Sequence, residues 1–275
     1  MPKLHAFCRY GLLLSALQTT GCAGLSHALQ ADTPTAHFAN AVLEDYRLHY
    51  SAAGLLRLGL PLAVNGALAN TEADTELREF WQTRGRTETA DDVTRIFLRA
   101  GDLGQNKISL PLYTLTLLAA DYRGNPRNDN RIATWAARSA RANLLGGPQA
   151  WALTYALGTH RPGHGESDWR PWNDNDGVSG HAFYGAVPFL TAARMSQSPG
   201  WRYSLYALSV LPAYSRVYND QHYTSQVIMG WSLAWLATGT VAATDRTAGT
   251  KDAGDWTLHA APLPGGGLLV LETAW

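Results

Sequence analysis

The 275-residue chain carries 22 Lys and Arg residues against 22 Asp and Glu residues, so its formal net charge is zero. Proteins that bind nucleic acids usually present a basic face, and this balance argues against that class. The length allows one large domain with a substantial core, or two small ones.

Residues 1–31 have the pattern of an export signal. Lys3 and Arg9 supply a positively charged start, an apolar stretch follows, and small residues up to Ala28 offer a cleavage site. Lipidation at Cys22 and a retained N-terminal anchor are the alternatives. We therefore expect an exported protein, either periplasmic or anchored as a lipoprotein that faces the periplasm, where peripheral membrane association is an option.

Residues 32–245 predict a helical domain. Apolar side chains recur at helical spacing, and Gly and Pro residues divide the region into pieces. Pro61 and Gly66 are expected to kink or break the first stretch, and Gly146-Gly147 to end another. The predicted helices cover residues 41–70, 71–84, 91–100, 108–122, 131–145, 149–157, 180–195, 202–214 and 222–244.

The last helix and the tail differ from the rest in composition. Residues 223–244 carry no charge and are long enough for a transmembrane span. Several Thr, Ser and Gly residues dilute this run, so a buried helix of a soluble bundle is preferred over an integral membrane protein. Residues 246–275 predict a linker and a small β-hairpin, because two strand-like segments flank a Gly-rich turn.

The first segment with candidate chemistry is Ser179-Gly180-His181, directly before an apolar helical run. The start of a helix presents unbonded backbone N–H groups, which can seat an anion. His181 would lie in the first turn and face the same seat. A simple N-cap at Ser179 is the alternative interpretation.

The second segment runs from Arg216 to Gln226. His222 and Gln226 are four residues apart and share a helix face, so the Gln226 amide oxygen could accept from one ring nitrogen. That bond would fix the tautomer and leave the other nitrogen able to attack. Arg216 could present its planar guanidinium group to phosphate oxygens. An ordinary surface loop is the alternative.

The third segment ends in Arg161-Pro162, where the proline is expected to end a helix and Arg161 could simply complement the helix dipole. His160 and His164 lie close by, but no Asp or Glu stands at ligand spacing around them. Both cysteines of the chain lie in or beside the export signal. No metal site is predicted.

Together, these segments resemble the type 2 phosphatidic acid phosphatase superfamily, which also contains vanadium haloperoxidases and bacterial nonspecific acid phosphatases. Its pattern is Lys, six residues and Arg-Pro; then Pro-Ser-Gly-His; then Ser-Arg, five residues, His, three residues and Asp. The chain matches at Arg161-Pro162, Ser179-Gly180-His181, Ser215-Arg216 and His222. The resemblance implies an all-α multi-helix bundle of that family's kind, here with the small C-terminal β-hairpin.

Carried over residue by residue, the resemblance makes His222 the nucleophile that becomes phosphorylated. His181 would protonate the leaving oxygen and then activate water, and Gln226 would orient the nucleophile. Phosphate binding falls to Arg161, Ser179, Gly180 and Arg216. The implied activity is that of a phosphatase that needs neither metal nor cofactor and acts on a phosphorylated small molecule or a lipid phosphate.

Three positions depart from the family pattern: Thr154 stands in place of Lys, Val178 in place of Pro, and Gln226 in place of Asp. One phosphate-neutralising charge is therefore missing. A neutral amide can orient His222 but cannot stabilise its imidazolium form as a carboxylate does. Two alternatives stay open: a haloperoxidase-like oxidoreductase that binds vanadate, and a catalytically inactive protein that binds phosphate or lipid.

Overall fold

The computed structural model describes residues 34–103, 109, 111–116, 131–247, 256–263 and 266–273. The chain divides into two units, Met1–Glu44 and Asp45–Trp275. In the first unit, the described residues form the beginning of helix α1 (Pro34–His49), which continues into the second. The export signal predicted for residues 1–31 lies outside the described residues.

The second unit is a multi-helix bundle, as the sequence predicts. Its described helices are short at first and long later. After α1 they are α2 (Ala52–Leu56), α3 (Gly59–Ala69), α4 (Ala73–Thr83), α5 (Glu88–Leu103), α6 (Arg131–Leu157), α7 (Gly180–Met195), α8 (Pro199–Tyr218) and α9 (Thr224–Thr247). Residues 111–116 are also helical.

Two antiparallel strands, β1 (Trp256–Leu263) and β2 (Gly266–Thr273), follow the helices. Trp256 pairs with Thr273 at one end of the ladder, and Leu263 pairs with Gly266 at the other. The register is continuous along these strands, so neither of them contains a bulge.

The core lies around α9, which packs against α3, α4, α6, α7 and α8. Its buried apolar side chains meet those of α6 and α7, with Leu145, Phe183, Leu190, Met229 and Leu233 among the largest. A helix with neighbours on several sides needs no polar face, which explains why its first 21 residues carry no charge.

Two stretches, Ala52–Ala69 and Thr224–Thr247, are long and apolar enough to cross a membrane by length and composition. They differ in burial: 56% of the second is buried, as in a core helix, but only 11% of the first. In the first stretch, Leu56 and Leu60 are 79% and 75% exposed. This weakly favours association of the chain with a membrane.

No helix break occurs at Pro61 or Gly66, where a kink or a break was expected, because both residues lie inside α3. Pro61 occupies the first turn of α3, where its missing N–H would have no intrahelical acceptor in any case. The chain turns earlier, between α1 and α2, where the Ser51 side chain accepts from the N–H of Gly54 and caps α2.

α6 is one helix of 27 residues, where two helices separated at Gly146-Gly147 were expected. A Cβ atom at Gly146 would lie 2.6 Å from the ring of Phe183 in α7. A Cβ atom at Gly147 would lie 3.0 Å from the Tyr184 hydroxyl. These glycines therefore allow close contact between α6 and α7 and do not end a helix.

A buried ion-pair network around Arg141 joins α1, α6 and α9. Arg141 donates through Nε and Nη2 to the two carboxylate oxygens of Asp45, at 2.7 and 2.8 Å. Its Nη1 donates to Asp245 at 2.5 Å, and Arg138 donates to the other oxygen of Asp245 at 2.6 Å. The Arg141 and Asp45 side chains are only 6% and 1% exposed, so each of these buried charges depends on its partner.

Replacing Arg141 by methionine is expected to lower the free energy of unfolding by about 3–5 kcal/mol, because Asp45 would stay buried without a partner. Denaturant unfolding followed by circular dichroism measures this loss. Arg95→Met is the control, since Arg95 pairs with Asp92 on the surface and its loss should cost less than about 1 kcal/mol. Equal losses in the two variants would contradict the role given to the network.

Candidate active site

The first turn of α7 presents backbone donors to an open space. Ser179 precedes the helix in an extended conformation, and its hydroxyl oxygen accepts from the N–H of Ala182 at 3.3 Å. Within the described part of the chain, the N–H of Gly180 has no acceptor. A Cβ atom at Gly180 would meet nothing within 4 Å. This turn therefore has the donor and the open approach that an anion needs.

The start of α7 rests directly on the backbone of α9. The N–H of Ser179 donates to the carbonyl oxygen of Gln226 at 3.0 Å. One turn further along α9, a Cβ atom at Gly230 would lie 2.4 Å from the carbonyl oxygen of Ser179 and 3.1 Å from the Cβ of Ala182. The proposed anion seat on α7 and the His222 segment before α9 are thus held in register by a contact that only glycine allows.

Gly230→Ala is expected to push the start of α7 away from α9. Overpacking of this kind costs about 1–3 kcal/mol of stability. The displaced donors should weaken binding of inorganic phosphate by about 10-fold, measured by calorimetry. Gly239→Ala on the same helix is the control, because its Cβ would meet only the guanidinium end of the Arg194 side chain, at 3.3 Å, and no backbone atom. Equal effects in the two variants would count against the steric explanation.

His222 is buried and its ring is oriented by Gln226. Nδ1 of His222 lies 2.8 Å from Oε1 of Gln226, and the N–H of Tyr223 donates to the same oxygen at 3.1 Å. The Gln226 Nε2 donates to the Thr159 hydroxyl at 2.7 Å and to the His160 carbonyl at 2.8 Å. A backbone N–H can only donate and a carbonyl can only accept, so these partners fix which end of the amide faces His222. Nδ1 therefore carries the proton.

This tautomer leaves a lone pair on Nε2 of His222. Burial lowers the pKa of His222 from 6.5 to about 3, although the bond to Gln226 acts in the opposite direction. The charges of Arg161, Arg216 and His181 lower it further. The imidazole of His222 is therefore neutral, and able to act as a nucleophile, down to strongly acidic pH.

Arg161 lies in a loop that begins after Leu157. α6 ends at Leu157, as the helix predicted over residues 149–157 does, so the helix end expected at Pro162 is wrong. Gly158 follows at φ 61°, the left-handed conformation that commonly terminates helices. Arg161 therefore lies in a loop beyond the helix.

The two arginines are held differently. Nε of Arg161 donates to Asp176 at 2.6 Å, and among the described residues this is its one side-chain hydrogen bond. The terminal nitrogens of Arg161 can thus bind a ligand, and the side chain is 44% exposed. Arg216 lies in the last turn of α8 and is 9% exposed. Its carbonyl oxygen accepts from the N–H of His222 at 3.3 Å, which ties the two residues together.

Thr154, at the lysine position of the family pattern, supplies no charge. Its hydroxyl donates to the carbonyl of Ala150 at 2.8 Å, so it is turned back onto its own helix. Its carbonyl accepts from the N–H groups of Gly158 and Gly177 at 3.3 and 3.2 Å, which closes the base of the loop. This position is structural in the chain.

Sequence reasoning missed three contributors to the site. Thr159 and the His160 carbonyl hold the amide of Gln226, and Asp176 holds Arg161. Asp176 lies beside the Ser179-Gly180-His181 segment, but its spacing did not indicate which arginine it would bind. Thr159 and His160 lie in a loop without periodicity, and no sequence signal identified them as partners of Gln226.

An apolar cavity of about 360 Å³ lies between α4, α8 and α9, with Trp81, Tyr214 and Trp231 in its wall. None of the candidate site residues lines it. Apolar walls cannot compensate the charge of a phosphate, so this cavity is distinct from the candidate site. The described residues include no cluster of three His, Cys, Asp or Glu side chains that could hold a metal ion.

Comparison with known families identifies the region that carries this site. Residues 140–249 match the family model described as PAP2 superfamily. No curated protein and no solved structure matches the chain. The matched region runs from α6 through α9 and contains all of the candidate site residues. The match confirms, over residues 140–249, the resemblance to this superfamily that the motifs predicted.

Proposed function

We propose that this chain is a metal-independent phosphatase that hydrolyses a phosphomonoester or a lipid phosphate through a phosphohistidine intermediate. PAP2 superfamily membership suggests phosphatase-type activity in general. The observation that carries the specific proposal is the tautomer of His222. Its Nδ1–H is bonded to Gln226, so the Nε2 lone pair is available for attack, and the charges of Arg161 and Arg216 act on the same ring.

In the first step, Nε2 of His222 attacks phosphorus and the bond from phosphorus to the ester oxygen breaks. His181, in its protonated form, gives its proton to that oxygen, which leaves as an alcohol. The phosphoryl oxygens are bound by Arg161, Ser179, Gly180 and Arg216. Their donors stabilise the charge that these oxygens carry in the transition state.

In the second step, His181 is neutral and accepts a proton from water. The resulting hydroxide attacks phosphorus, the bond from phosphorus to nitrogen breaks, and the electron pair returns to Nε2 of His222. Inorganic phosphate leaves, and His181 is protonated again. The two arginines supply the positive charge for which other phosphatases use a metal ion. Under the same proposal, the predicted export signal places the reaction outside the cytoplasm.

The test is phosphate release from a lipid phosphate and from an aryl phosphate by the purified mature chain, with EDTA present. Release from either substrate, together with a base-stable and acid-labile phosphoprotein, is the expected result. No release from either substrate would overturn the enzyme proposal and favour an inactive protein that binds phosphate or lipid. Loss of release in EDTA would contradict the metal-independent mechanism, and halide oxidation only after vanadate addition would favour the oxidoreductase.

A further inference from the structure

Helix α4 carries a polar face that the phosphatase proposal does not use. Asp74, Arg78 and Gln82 are spaced by four residues, so their side chains lie along one side of the helix. All three contact the same segment, residues 217–225, which joins α8 to α9 and is called here the nucleophile turn because it contains His222. α4 lies outside the region that matches the PAP2 superfamily.

Asp74 holds the end of the nucleophile turn where α9 begins. Its carboxylate is completely buried and accepts from the backbone N–H of Ser225 at 2.9 Å. This N–H belongs to the first turn of α9, where no intrahelical acceptor exists, so Asp74 caps α9 from another helix. The carbonyl of Ser225 accepts from the Asn65 side chain at 2.9 Å. The helix that carries Gln226 is thus fixed at its first turn.

Gln82 holds the other end of the turn. Its side-chain nitrogen donates to the carbonyl oxygens of Val217 and Tyr218, at 3.1 and 3.3 Å. These are among the last carbonyls of α8, which lack intrahelical donors. The position of Arg216, one residue earlier, is fixed by the same contact.

Arg78 holds the middle of the turn. Its Nε and Nη2 donate to the two carboxylate oxygens of Asp220, both at 2.7 Å. Asp220 has a φ of 56°, a left-handed conformation in which a non-glycine residue needs support from its surroundings. A bidentate pair of this kind fixes direction as well as distance. His222 follows two residues later, so the path of the chain into His222 depends on this pair.

We propose that α4 is a positioning element for the nucleophile: Asp74, Arg78 and Gln82 fix the nucleophile turn so that the His222 ring stays against Gln226. None of the three acts on the substrate. The inference rests on the proposed function, because it assigns these residues to the rate of the same reaction. A displacement of about 1 Å at a reacting group can cost roughly 100-fold in rate, so loss of one anchor should act mainly on kcat.

Arg78→Met is the central variant. It is expected to lower kcat by about 10- to 100-fold while KM and the Kd of inorganic phosphate change by less than about 3-fold. Arg78→Lys, which keeps the charge but not the bidentate geometry, should restore part of the loss. The control is Arg138→Met, which breaks the pair of Arg138 with Asp245 far from the turn in sequence. It should lower thermal stability without lowering kcat at a temperature where both variants are folded.

An equal kcat in Arg78→Met and the parent chain would overturn the inference, as would an equal loss in Arg138→Met. A second readout needs no turnover: the ¹⁵N resonances of His222 report which ring nitrogen carries the proton. We expect the Nδ1–H tautomer in the parent chain and averaged tautomers in Arg78→Met. An unchanged spectrum in Arg78→Met would overturn the positioning role. If the parent chain releases no phosphate, the proposed function fails, and this spectrum alone decides the inference.

Discussion

Replacing His222 by alanine or by glutamine is expected to abolish phosphate release, with a fall in kcat of at least about 10⁴-fold. Both variants lack the imidazole nitrogen that attacks phosphorus. Removing the nucleophile of a covalent mechanism costs nearly all of the rate enhancement that the catalytic groups supply together. Single-turnover assays should also show no phosphorylated protein. His164→Ala is the control, since His164 is an exposed residue of the neighbouring loop. Residual activity of His222→Gln within 10-fold of the parent would contradict the mechanism.

His222→Gln is also expected to change how the free energy of unfolding depends on pH. Folding lowers the pKa of His222 from 6.5 to about 3, chiefly through burial, so between these values the unfolded chain binds a proton that the folded chain does not. The parent chain should therefore lose stability as the pH falls from about 6.5 towards 3. His222→Gln removes this contribution, and its unfolding free energy should depend less on pH. Denaturant unfolding of both proteins at pH 7 and pH 4.5 measures the difference.

Local signals predicted parts of the fold well. The bounds of α7 agree with the prediction, because the cap at Ser179 and the turn after Met195 are short-range features. The continuity of α6 could not be predicted, because Gly146-Gly147 resembles a helix end in sequence. The reason for these glycines is a contact with Phe183 and Tyr184, which lie in another helix, and no local pattern reports such a contact.

In the candidate site too, local contacts could be predicted and contacts between distant residues could not. The predicted bond between His222 and Gln226 is present, but its basis differs from the prediction, because α9 begins at Thr224 and His222 lies before the helix and not on its face. The partners that fix the amide are not visible in the same way, because Thr159 lies 67 residues away along the chain. The polar face of α4 can be recognised in the sequence, but its partner Asp220 lies 142 positions after Arg78 and could not be identified from the sequence. The spacing of polar residues shows that a helix has a polar face, but it does not show which residues pack against that face.

Gln226→Leu is expected to lower kcat by roughly 10²- to 10⁴-fold, because the tautomer of His222 would no longer be fixed. The leucine also leaves the Tyr223 N–H and the His160 carbonyl without their partner, at about 1–3 kcal/mol each. Because the substitution disturbs the nucleophile and not the groups that bind phosphate, kcat should fall much more than KM rises. The ¹⁵N spectrum of His222 should show the change of tautomer directly.

A matched control exists in the same protein. Gln149 forms a second buried pair with a histidine, in which its Oε1 lies 3.0 Å from Nε2 of His49. Gln149→Leu removes a comparable hydrogen bond away from the nucleophile turn. It should lower stability and leave kcat unchanged. A similar fall in kcat for both leucine variants would show that general loosening of the bundle, and not the tautomer, limits the reaction.

The Gln226→Asp variant tests whether glutamine at this position lowers the activity of the site or suits its surroundings better than the aspartate of the family pattern. The substitution restores the residue of the family pattern, and a carboxylate would stabilise the imidazolium form and raise the pKa of His222. However, aspartate is shorter by one methylene group and has no N–H to give to Thr159 or to the His160 carbonyl. A carboxylate oxygen and the His160 carbonyl oxygen, both acceptors, would then face each other in a buried position. We therefore expect Gln226→Asp to be slower than the parent chain, with the acid limb of its rate profile moved to higher pH; a faster enzyme would show that the surroundings still suit the carboxylate.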